Sequence, residues 1–85
     1  MKEFKYVITD AEGIHARPAG ELVKAAKEFS SKITIIKDGK SGDCKKIFGV
    51  MALAVKCGNE VTIPVEGEDE EAAAAKIEEF MKSNM

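Results

Sequence analysis

The sequence predicts a two-layer α/β sandwich, with helices covering one face of an open sheet and water meeting the other. Two observations lead there. Segments whose apolar residues recur every second position alternate with segments at helical spacing, in the order β-α-β-β-α-β-α. The extended segments also alternate apolar with polar residues, as a sheet buried on one face requires. A chain of 85 residues has room for one domain, residues 1–85, with one modest core.

In chain order, Phe4, Tyr6 and Ile8 alternate with Lys5, Val7 and Thr9, which makes a half-buried first strand. Asp10-Ala11-Glu12-Gly13 is a loop. From Ala16 the apolar residues fall at Ala19, Leu22, Val23, Ala26 and Phe29, the stripe of a core-facing helix, with Lys24 and Lys27 on its solvent side. Gly20 within that helix costs about 1 kcal/mol relative to alanine. Either it lets a partner approach closely beside His15, or a well-packed helix simply tolerates it.

Ile33-Thr34-Ile35-Ile36 is a second strand, and Lys37-Asp38-Gly39-Lys40 carries the Asp-Gly signal of a tight hairpin into a short third strand, Lys40 to Cys44. A short amphipathic helix follows from Ile47 to about Leu53. Its spacing offers Ile47, Val50, Met51 and Ala54 to the core; the favoured arrangement turns Val50 inward and leaves Ile47 and Phe48 outward. Gly58-Asn59 turns into a last strand, Glu60 to Glu66, where Val61, Ile63 and Val65 alternate with polar positions. Pro64 interrupts it, because proline donates no ladder hydrogen bond. Asp69 should cap the final helix, with Glu70 and Glu71 in the first turn, Lys82 in the last, and Ala73, Ile77, Phe80 and Met81 along its buried edge.

Composition removes several function classes. No apolar run approaches the roughly 20 residues of a membrane span. The charged start, Met-Lys-Glu-Phe-Lys, lacks the apolar stretch of a signal peptide, so the chain is expected in the cytoplasm. Cys44 and Cys57 are too few and too far apart for a zinc motif and are expected as free thiols; no metal or cofactor is implied. Net charge is −2, but residues 1–46 carry +3 and residues 47–85 carry −5. A basic half attracts an acidic or phosphorylated partner. Nucleic acid is disfavoured, because the chain has one arginine and few aromatic residues.

The basic half holds the one histidine, in Gly13-Ile14-His15-Ala16-Arg17-Pro18. A glycine-containing loop precedes His15, and Pro18 suits a first helical turn, where a missing N–H breaks no intrahelical bond. His15 therefore reads as an N-cap. An anion held there would meet the Ala16 and Arg17 amides and the Arg17 guanidinium, and a neutral imidazole is nucleophilic near neutral pH. Local features leave two readings open: a phosphate-accepting histidine, or a capping or surface residue.

Gly-Ile-His-Ala-Arg-Pro-Ala at 13–19 resembles the active-site signature of HPr, the histidine-containing phosphocarrier family of the bacterial sugar phosphotransferase system. Lys46-Ile47-Phe48-Gly49-Val50-Met51 and the strand-plus-helix ending from Glu60 resemble the same family. The resemblance implies an antiparallel sheet in the order 1-4-2-3 with three helices on one face. It implies a phosphohistidine at Nδ1 of His15, the phosphoryl group taken from enzyme I and passed to an enzyme IIA domain, with Arg17 stabilising the phosphate. Such a chain is a carrier rather than a free-standing turnover enzyme, and a monomer is expected. The expected partner surface is Gly20, Lys24, Lys27, Lys46, Ile47, Phe48 and Met51. Where many HPr proteins of low-GC Gram-positive bacteria have a regulatory serine, this chain has Lys46. The alternative is an HPr-like regulatory binding module for nitrogen or carbon control, without a role in sugar uptake.

Overall fold

In a computed structural model, residues 2–11, 13 and 16–84 are described. Strand β1 (Lys2–Val7) is followed by helix α1 (Ala16–Lys27), strands β2 (Lys32–Lys37) and β3 (Lys40–Asp43), helix α2 (Ile47–Met51), strand β4 (Glu60–Glu66) and helix α3 (Glu70–Asn84). The sheet order is β1-β4-β2-β3, and each neighbouring pair is antiparallel. This is the expected sandwich.

Alternation selects the buried face. Ile33 and Ile35 of β2 and Val61, Ile63 and Val65 of β4 are fully buried, whereas Lys5 and Val7 of β1 stand on the open face. Above the dry side lie Ala19, Leu22, Val23 and Ala26 of α1, joined by Ala25, together with Ala73, Ile77 and Met81 of α3. Each of the larger side chains contributes about 1.5–3 kcal/mol by leaving water. Phe80, expected within the buried edge of α3, is only half-buried, and Phe29 packs on the core from beyond the end of α1.

The β2–β3 hairpin follows its turn chemistry. Asp38 and Gly39 both take positive φ, 51° and 79°, between the paired Lys37 and Lys40. Gly42 of β3 lets α2 lie directly on the strand: an added Cβ there would run into the Gly49 carbonyl, whose carbon it would meet at 2.9 Å.

Pro64 is accommodated at the cost of ladder bonds on one side. Toward β1 the register is unbroken, with Glu3 opposite Pro64. Toward β2 the pairs are Lys32↔Glu66, Ile33↔Val65 and Ile36↔Thr62. The skipped pairs, Thr34 with residue 64 and Ile35 with residue 63, are the ones that need an N–H from residue 64. The register is the same on either side of the gap, so no bulge is inserted.

Two local expectations are corrected. Helix α2 ends at Met51 rather than near Leu53, and Ala54 then takes φ 50°. That reversal leaves Met51 and Ala54 exposed and gives their expected core places to Leu53 and Val55. Asp69 occupies the N-cap position of α3, since its carbonyl accepts the Ala73 N–H at 2.9 Å. Its carboxylate, however, reaches across the molecule. It accepts the backbone N–H groups of Ser30 and Ser31, each at 2.9 Å, and both serine hydroxyls. A cap for one helix has become a tie between the α1–β2 and β4–α3 connections.

Asp69 titrates below the usual carboxylate range, chiefly through the Ser31 hydroxyl and then the Ser30 amide. A depressed folded pKa gives stability that is present above the unfolded value and is lost as pH falls through the folded one. Asp69→Asn is therefore expected to lower the urea midpoint at neutral pH and to flatten the acid limb below about pH 4. Parallel acid limbs in the two proteins would remove Asp69 from the acid response.

Gly13, at φ 69°, is buried, and a Cβ there would strike the Val55 carbonyl and approach Lys56 Cα at 2.7 Å. The left-handed backbone alone costs a non-glycine residue roughly 1–2 kcal/mol. Gly13→Ala is expected to lose at least about that much in urea unfolding, and an unchanged midpoint would show that the 55–56 backbone yields freely.

Candidate functional site

The loop that leads toward α1 is fastened at several points to residues 55–59. Ile8 donates to the Asn59 carbonyl at 3.0 Å and accepts from Gly58 N–H at 2.8 Å. Gly13 donates to the Asp10 carbonyl at 2.9 Å while its α-carbon lies against Val55 and Lys56. Asn59 Oδ1 accepts the Lys56 N–H at 2.8 Å, closing the turn beneath. The exposed Cys57 thiol points its sulfur toward the Thr9 carbonyl at 3.8 Å.

His15 lies outside the described residues, as do Glu12 and Ile14. Its expected role as N-cap is therefore carried by sequence. Helix α1 begins at the next residue, Ala16. The opening N–H groups of a helix have no intrahelical acceptor, which holds for Ala16 and Arg17, while Pro18 supplies no N–H. Pro18 itself is fully buried in the first turn.

Arg17 is exposed and pairs loosely with Glu21, Nη1 to Oε2 at 3.8 Å, one helical turn on. Glu21 was not among the candidate residues; its i,i+4 spacing from Arg17 is the signal that could have found it. Such an exposed pair is worth roughly 0–1 kcal/mol, and placing the arginine before the acid opposes the helix dipole. The guanidinium is thus weakly held. Lys24 and Lys27 are exposed but occupy the last turn of α1, roughly 10 and 15 Å along the axis from Arg17. They do not join its cluster.

Gly20, Ile47, Phe48 and Met51 belong to one surface where α1 meets α2. An added Cβ on Gly20 would touch Ile47 Cδ1 at 3.9 Å, an ordinary contact, so no steric demand explains the glycine. Ile47 is half-buried against the core, Phe48 is 85% exposed and Met51 39% exposed. Lys46 is the extended N-cap of α2 and makes no side-chain cap hydrogen bond. A cation at a helix start is unfavourable, and its ammonium stays exposed.

Two lysines of the basic half are used inside the fold, which net charge could not reveal. Lys45 Nζ donates to the Phe29 carbonyl at 2.8 Å, and Lys37 Nζ donates to the Leu53 and Ala54 carbonyls at 3.2 and 3.1 Å. Cys44 is fully buried, and burial, helped by neighbouring Asp43, pushes its thiol up to about 12, so it is not a nucleophile at neutral pH. No group of three or more His, Cys, Asp or Glu side chains suited to a metal stands among the described residues. Nor is any described helix long and apolar enough to cross a membrane.

The same architecture recurs in known proteins. A family model described as the PTS HPr component phosphorylation site matches residues 2–83. The phosphocarrier protein HPr of Mycoplasma capricolum is 48% identical over 81 residues, covering 95% of this chain and 91% of that protein. The solved structure of a mycoplasma histidine-containing phosphocarrier protein superposes with a TM-score of 0.94 at 46% identity, covering 96% of this chain and 93% of the other. The catabolite repression protein Crh of Bacillus subtilis superposes with a TM-score of 0.79 at 38% identity, over 100% and 98% of the two chains. With the sheet order, the helix start after His15 and near full-length matches in agreement, this chain belongs to the HPr family of phosphocarriers of the phosphotransferase system.

Proposed function

We propose that this protein accepts a phosphoryl group on His15 from phosphorylated enzyme I and passes it to an enzyme IIA domain of a sugar permease. The supporting observation is that α1 starts one residue after the histidine, so that the Ala16 and Arg17 amides open a helix toward that position. A lone pair on the imidazole attacks phosphorus, a P–N bond forms, and the bond from phosphorus to the donor breaks. Transfer onward reverses the roles.

A carrier must bind its cargo without trapping it. Helix-terminus stabilisation is about 0.3–1 kcal/mol and a hydrogen bond to a charged group about 1.5–3 kcal/mol. These are small beside a phosphoryl-transfer barrier, so the phosphohistidine waits until a partner supplies the remaining stabilisation. Arg17 exchanges Glu21 for phosphate oxygens, to which its planar fork is matched. Lys46 and the Ile47, Phe48 and Met51 surface dock the partner, the charge steering the encounter and the apolar side chains holding it.

A second reading, a regulatory binding module, draws on the likeness to Crh. One experiment separates them: incubation with enzyme I and labelled phosphoenolpyruvate. The carrier acquires an acid-labile, base-stable label that His15→Ala does not; a chain that stays unlabelled is not a carrier. Arg17→Ala should keep the fold and slow transfer roughly ten- to hundredfold, and unchanged kinetics would remove Arg17 from the mechanism. Lys46→Glu should weaken association with enzyme I most at low salt. A salt-independent affinity in both proteins would exclude Lys46 from steering.

A further inference from the structure

We propose that Lys37 is a positioning residue for the loop that carries His15, acting through the residues that follow α2. The inference rests on the reading of His15 as the phosphoryl acceptor. Lys37 ends β2, far in sequence from the loop, yet its ammonium donates to two consecutive carbonyls, Leu53 at 3.2 Å and Ala54 at 3.1 Å. Both belong to the segment where the chain reverses after α2. There Ala54 holds φ 50° without being glycine, a conformation that an L side chain resists. A charge-assisted bond to each carbonyl fixes the orientation of the two peptide units flanking that strained α-carbon.

The next residue transmits the setting. Val55 is buried, and its carbonyl abuts Gly13, whose α-carbon leaves no room for a Cβ. Gly13 stands two residues before His15 in the sequence. The order of contact is thus Lys37, the Leu53 and Ala54 carbonyls, Val55 and Gly13. If the ammonium is removed, the Ala54 peptide can relax toward negative φ, Val55 shifts, and the platform under Gly13 moves with it. Phosphoryl transfer is sensitive to such shifts, since a misplacement of about 1 Å can cost a hundredfold in rate.

Lys37→Met keeps the stem and deletes the donors; Lys37→Arg restores them. The experiment reads amide hydrogen exchange in the free protein and steady-state transfer from phosphorylated enzyme I. In Lys37→Met, exchange at Gly13, Val55, Lys56 and Cys57 should accelerate roughly tenfold or more while that at Ile35 and Ile63 stays as in wild type. The maximal transfer rate should fall with little change in KM, and Lys37→Arg should recover both readouts. Unaltered exchange at residues 13 and 55–57, or equal acceleration at every amide, would overturn the proposal, the second outcome marking a merely global loss of stability. A drop in exchange protection without any fall in transfer rate would overturn it too. If wild type takes no phosphoryl group, the carrier reading fails while exchange at Gly13 still decides whether Lys37 sets that loop.

Discussion

Strand β4 has one place to go. Its Val61, Ile63 and Val65 find a dry surface only beneath α1 and α3, and in a domain this small no second core competes for them. Holding β4 between β1 and β2 determines where its entry turn lies, at residues 55–59, under the loop that leaves β1. The connection toward His15 is therefore built on the start of the central strand, although the two are more than 40 residues apart in sequence. This explains how the sheet bears a broken ladder at Pro64. The apolar face fixes the strand, and the pairs lost toward β2 are flanked by intact ones.

Secondary structure this short needs ties beyond packing, and the molecule makes them from polar side chains to backbone groups. Asp69 joins the Ser30–Ser31 corner to α3, Lys45 holds the Phe29 carbonyl after α1, and Lys37 holds the carbonyls after α2. Each satisfies a backbone group at or near a helix end, where intrahelical partners run out. Each also spans a long sequence distance, so one side chain orders two connections. The contact of Gly42 with Gly49 adds a different device: leaving out side chains brings α2 down onto β3.

The fold was legible because period and turn chemistry are local. The 3.6-residue stripe of α1, the two-residue alternation of β2 and β4, and Asp38-Gly39 each state their own conformation without reference to the rest of the chain. The order 1-4-2-3 came through family resemblance, since alternation does not say which strands are neighbours. What escaped was what depends on position in space. Asp69 is a good N-cap by type, but nothing local says that its carboxylate meets two serines 38 and 39 residues away. Ala54 belongs to the apolar stripe only while the helix continues, and a positive φ is not foreseeable at an alanine. Lys37 and Lys45 counted as surface charge until their acceptors were seen. Of the site, the motif and the exposed Phe48 were readable, whereas the Arg17–Glu21 pair and the support under Gly13 emerged from the structure.

The sparseness of such a site has a physical reason. An enzyme that completes a reaction alone gains by surrounding its transition state with fixed donors, but a carrier so equipped would bind its phosphate too well to surrender it. Here the one arginine sits exposed near the start of a helix, against the dipole, and its ion pair with Glu21 is loose. That arrangement costs a little in the resting protein and leaves the guanidinium able to change partners without breaking a strong bond. The nearest lysines of the same helix are at its far end, and Lys45 and Lys37 are engaged with carbonyls. Among the described residues, the start of α1 thus offers the Ala16 and Arg17 amides and one weakly paired guanidinium. Under the carrier reading, the stabilisation missing from this set must come from the surfaces that dock on α1 and α2, which makes transfer conditional on encounter.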